Sequence, residues 1–107
     1  MEIEEQQHKK RIALGTSRVA EVQRAQLAEA RTSVEDARRA RDAARSEAEK
    51  FERVFAVPGG GGVSQLQVES KRNASLAAEN ALRVAQSRVS ELTARQSQDF
   101  VQAQNQV

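Results

Sequence analysis

The chain has 107 residues, room for one domain, and the absence of Trp, Tyr and Cys, with only three Phe, leaves little bulky apolar material for a thick globular core. Seventeen Lys and Arg against fifteen Asp and Glu give a net charge of +2; the high pI therefore reflects a small imbalance between interspersed charges, and nucleic-acid binding does not follow from charge. Lack of cysteine excludes thiolate zinc sites and disulfides, while the abundance of Ala, Arg, Glu, Gln and Ser favours long helices packed along narrow seams.

Residues 1–16 read as an N-terminal helical extension or flank. Glu2, Glu4 and Glu5 suit a helix N-terminus; Gly15 is a weak point, and Thr16 or Ser17 offers a cap for a fresh start, but a continuous helix is the expectation. Residues 17–57 form the first arm. Ala20, Leu27, Val34, Ala48 and Phe55 share one heptad position, with Ala30, Ala37, Ala44 and Phe51 three residues on, and only Arg41 breaks the first series.

Residues 58–63 form the tip loop. Pro58 disfavours helical backbone at Val57, and the four glycines from Gly59 to Gly62 have no helical preference, so the first helix stops here. Residues 64–107 form the second arm: Ser64-Gln65-Leu66-Gln67 is a capping box, flanked by Val63 and Val68 at the positions of a hydrophobic staple. Its apolar series is Ala74, Ala78, Leu82, Ala85, Val89 and Leu92, with Phe100, Ala103 and Val107 as an extension.

A short loop cannot carry the chain back along a helix of about 40 residues, roughly 60 Å, so the arms must lie antiparallel. The fold class is all-α: a two-helix antiparallel coiled-coil hairpin with a Gly-rich turn. Counting outward from the loop pairs Phe51 and Phe55 with Leu66 and its neighbours, and Leu27 and Val34 with Leu92 and Val89. Both chain ends then lie together, as in a hairpin inserted into a longer protein. The longest apolar run, Val54 to Val57, falls far short of the roughly 20 residues of a membrane span, and the sequence is expected to be soluble.

No catalytic constellation can be assembled. His8 is the only histidine and the carboxylates sit among arginines, so the chain reads as a non-enzyme without metal or cofactor sites. Arg24, Arg31, Arg38 and Arg45 recur every seven residues along one side of the first arm. Glu35, Asp42 and Glu49, four residues after Arg31, Arg38 and Arg45, predict local neutralisation, which makes the stripe a solvated or lateral-packing face. A phosphate-binding track would want interleaved aromatics, and none are present.

The segment Phe51-Glu52-Arg53-Val54-Phe55-Ala56-Val57, with Gly62-Val63-Ser64-Gln65 across the turn, resembles the hairpin tip of periplasmic adaptor subunits. These HlyD-like membrane fusion proteins belong to bacterial tripartite efflux pumps and type I secretion systems. Their tips place an Arg, a Leu four residues later and a Ser seven beyond that; Arg53, Val57 and Ser64 stand at this spacing, with Val57 replacing the Leu. The resemblance continues from about Ala20 through the Ala-rich second arm to Leu92.

The resemblance implies a duct-forming spacer whose tip residues Arg53, Val57 and Ser64 dock onto a TolC-like outer-membrane channel. Arg24, Arg31, Arg38 and Arg45 would be candidates for lateral packing against other copies, usually six around an axis in that family. It further implies a periplasmic location, with the full-length protein anchored to the inner membrane and reaching a transporter there, of ABC or proton-driven type, through other domains. No nucleic-acid partner is expected. Two other classes fit parts of the sequence: a generic coiled-coil spacer or oligomerisation module, and a tRNA-binding helical arm like that of seryl-tRNA synthetase, which would use the arginine stripe.

Overall fold

A computed structural model describes the backbone of residues 2–105 and the side chains of residues 18–102 and of Gln104. Helix α1 (Glu2–Phe55, 54 residues) leads through a 3-10 turn (Gly60–Gly62) into helix α2 (Gln65–Asn105, 41 residues), which packs antiparallel to α1. The molecule measures 88 × 18 × 14 Å, close to the roughly 81 Å that 54 residues span at 1.5 Å per residue. Helix α1 runs unbroken through Gly15 and past Thr16 and Ser17, so no fresh start occurs there. The side chains of Glu2, Glu4, Glu5 and His8 lie outside the described residues.

The packing seam has heptad spacing on both helices. On α1, buried and half-buried positions run from Ala20 to Phe51 at alternating steps of three and four residues, passing through the expected alanines, Leu27 and Val34. On α2 the same steps run from Val68 to Gln96. The best-buried cluster joins Leu27 and Ala30 to Leu92, with Val89 packed against it, as counting outward from the loop predicts. Ala48, Val68 and Leu82 are the other buried apolar residues. Each buried leucine contributes about 1.5–3 kcal/mol, whereas an alanine contributes much less.

Four expectations need correction. Ala74 is exposed, because the seam steps back from Leu82 through Ala78, Ser75 and Lys71 to Val68, two of these positions being polar. Leu66 does not pair with Phe51 or Phe55: it lies on the outer side of the first turn of α2 and is 77% exposed. Phe55 leaves the seam as α1 ends and is 41% exposed, while Val54 turns inward instead. Phe100 is 64% exposed. Beyond Leu92 the seam becomes polar at Gln96, and Gln23 donates a hydrogen bond from its Nε2 to Asp99 Oδ2 across the two helices. The side chains of Ala103 and Val107 lie outside the described residues.

The register is also fixed by ion pairs between the helices. Arg45 Nη2 meets Glu79 Oε1 at 3.0 Å, Lys71 Nζ meets Glu47 Oε1 at 2.8 Å, and Arg72 Nε meets Glu52 Oε1. All three lie toward the turn, alongside the seam residues Ala44, Ala48, Phe51, Val68 and Ala78. Lys71 also stands 5.1 Å from the centre of the Phe51 ring, a cation–π contact that lets a lysine occupy a seam position.

Candidate functional site

The turn end of the rod gathers Arg53, Val57 and Ser64. Arg53 belongs to the last turn of α1, where a cation complements the exposed carbonyls of the helix C-terminus. Its side chain is exposed, and it makes no ion pair among the described residues; Glu49 does not hold it. Val57 follows the helix. Its N–H donates to Val54 O at 3.2 Å and its carbonyl accepts from Gly60 N at 2.8 Å, so the backbone fixes a side chain that is 52% exposed.

Ser64 caps α2. The Gln67 N–H donates to Ser64 Oγ at 3.1 Å, and the Ser64 N–H donates to Gln67 Oε1 at 2.9 Å, completing the reciprocal box. Val68, at the far staple position, is only 3% exposed, and Val63 at the near one is half-buried. Because Oγ is used as an acceptor, the hydroxyl hydrogen of Ser64 is left to point at a partner.

The glycine run is a built turn and not a loose linker. All four residues have positive φ, at 86°, 76°, 56° and 82° from Gly59 to Gly62, a region that costs L-residues roughly 1–2 kcal/mol each. Gly61 is also pressed against α1: a Cβ there would stand 2.6 Å from Val54 Cγ1 and 2.9 Å from the Val54 carbonyl oxygen. Closing hydrogen bonds from Gly60 N to Val57 O and from Val63 N to Gly60 O seal the turn.

The turn end is also apolar. Phe55 (41%), Val57 (52%) and Leu66 (77%) are all exposed there beside Arg53. Phe55 and Leu66 were missed as surface residues by reading periodicity alone. The available signal was their place at helix ends: Phe55 is the last residue of α1, and Leu66 is the second of α2, directly inside its cap.

Along the flank, the arginine stripe is paired differently from the i to i+4 expectation. Arg38 Nη1 contacts Glu35 Oε1 at 3.2 Å, Arg41 Nε takes Asp42 Oδ1 at 2.9 Å, and Arg45 reaches across to Glu79. Arg24 and Arg31 make no ion pair among the described residues. The reason is position: the stripe borders the seam, so Arg45 finds a carboxylate on the facing helix, while Asp42 is claimed by its neighbour. Among the described residues, Glu47 is the carboxylate with a clear shift, held below its ordinary range by its hydrogen bond and charge interaction with Lys71.

This arrangement defines a class, an elongated antiparallel two-helix hairpin with a hydrogen-bonded turn, exposed apolar side chains and one arginine at its tip. No protein-family model matches the chain, and comparison with curated proteins and with solved structures finds no similar protein.

Proposed function

We propose that this hairpin is the spacer and docking tip of a periplasmic adaptor protein in a tripartite export system, its end seated on a TolC-like outer-membrane channel. The observation that carries the reading is the tip. Three exposed apolar side chains and an arginine that makes no ion pair among the described residues are displayed on a hydrogen-bonded turn at the end of an 88 Å rod. Exposed apolar surface concentrated at one place is what a partner covers. A turn already locked by Ser64 and the glycines loses little entropy when it docks.

In this reading Val57, Phe55 and Leu66 fill grooves between channel helices. Arg53 and Ser64 donate hydrogen bonds to channel carbonyls or carboxylates. The arginine flank of α1, with Arg24 and Arg31 uncommitted, faces the acidic residues of a neighbouring copy, so that several hairpins stand side by side as a duct. Through other domains the full-length protein is anchored to the inner membrane and meets its transporter. The function is non-covalent, with no cofactor.

The test displays the hairpin on a hexameric scaffold, so that weak contacts add, and measures binding to the periplasmic end of a TolC-like channel. Binding by the unmodified hairpin that is lost in Arg53→Ala and in Ser64→Arg, with helicity nearly unchanged, is the expected result. Tip variants that bind as well as the parent would leave a generic spacer, the reading favoured by the heptad seam alone. That spacer would tolerate every tip substitution and fail on Leu27→Asp or Leu82→Asp.

A further inference from the structure

We infer that a concavity between Arg41 and Arg45 of α1 and Arg83 of α2 is an anion site that takes a phosphate group. It has a volume of about 210 Å³ and is lined by Arg41, Arg45, Glu79, Leu82, Arg83 and Gln86. The first argument is Arg41 itself. It occupies a seam position where every neighbouring heptad supplies an apolar residue, and its side chain is only 26% exposed. A guanidinium there gives up packing that a leucine would provide, and part of its hydration as well. Yet only its Nε is engaged, on Asp42 Oδ1 at 2.9 Å; among the described residues its two terminal nitrogens donate to no protein group.

The second argument is charge. Arg45 spends one nitrogen on Glu79, and Arg83 makes no ion pair among the described residues. Three guanidiniums and one carboxylate therefore line the concavity, and the Gln86 amide adds a neutral donor. With Asp42 on Arg41 as well, three cations face two carboxylates, and the remaining positive charge suits an anion. Donors also arrive from both helices, an arrangement that suits a tetrahedral anion with several oxygens better than a planar carboxylate, which satisfies one or two forks. Buried Leu82 lines the seam side. Arg41 lies fourteen residues from the end of α1, roughly 20 Å from the tip, so the site stands apart from tip docking.

Phosphate can come free or on a lipid headgroup, and the experiment separates the two. The full chain, ¹⁵N-labelled, is titrated with inorganic phosphate at constant ionic strength while the arginine Nε–Hε resonances are followed, with sodium chloride as the comparison. Saturable shifts at Arg41, Arg45 and Arg83 are expected. Affinity should fall about tenfold in Arg83→Gln and stay unchanged in Arg39→Gln, which removes an exposed arginine from outside the concavity. Circular dichroism verifies that both variants are folded. Shifts that are linear in phosphate, equal at all arginines or reproduced by chloride would overturn the site. So would movement of these three resonances with protein concentration alone, because carboxylates of a second copy would then be the occupant. Co-sedimentation with phosphatidic acid vesicles that Arg83→Gln abolishes would assign the phosphate to a lipid headgroup; saturation by inorganic phosphate without vesicle binding would assign it to the free ion.

Discussion

Ser64 and Gly61 carry the tip geometry between them, one by satisfying backbone donors and the other by having no side chain. Ser64→Ala should cost about 1 kcal/mol of stability in chemical denaturation, the usual loss for an N-cap. Gly59→Ala and Gly61→Ala should differ, although both have positive φ. Only the added carbon at Gly61 meets Val54, at 2.6 Å and 2.9 Å, so Gly61→Ala should be the more destabilising of the two by thermal melting, while Gly59→Ala shows the backbone strain alone. Glu47 gives a pH signature. Its carboxyl titrates lower in the fold than in the unfolded chain because Lys71 favours the charged form. Its contribution is therefore present above the ordinary carboxylate range and is lost as pH falls through the lowered value. Glu47→Gln should lower Tm slightly at neutral pH and leave it unchanged in strong acid, the pair being exposed and its effect small.

Each helix is specified by where its stripe meets the other. The seam makes a clear prediction about two leucines of α2 that differ in burial: Leu82→Ala should cost about 2–5 kcal/mol, as deletion from a packed site does, whereas exposed Leu66→Ala should stay within about 0.5 kcal/mol. Denaturant titrations of the two variants check this directly. Arg41→Leu should raise Tm, since it restores an apolar residue to a half-buried heptad position beside buried Leu82. In the turn-proximal half, three ion pairs between the helices flank a seam whose buried apolar residues are Ala48, Val68 and Leu82. The opposite half relies on Leu27, Ala30, Val89 and Leu92.

At the scale of the whole molecule the helices make a narrow rod with a thin core, presenting most of its side chains among the described residues to solvent. Solution scattering should give a maximum dimension near 88 Å for the folded-back hairpin. Two helices of these lengths laid end to end would reach roughly 140 Å. The exposed apolar residues at the tip and the arginine stripe along α1 lie in different directions, one along the axis and one beside it.

The sequence by itself determined the two helices, the place of the turn and the antiparallel return. Heptad spacing, the Pro58-to-Gly62 break and the Ser64 capping box are local signals that no tertiary contact needs to supply. It also placed Leu27 opposite Leu92, because counting outward from a short turn leaves little freedom. The tertiary structure decided what depends on the facing helix. Lys71 and Ser75 enter the seam in preference to Ala74 because register, not hydrophobicity, assigns faces once Leu82 is anchored. Leu66 and Phe55 turn outward because the partner helix ends beside them. The arginine stripe finds its carboxylates partly across the seam, since a long side chain at a flanking position reaches the neighbouring helix as readily as its own next turn.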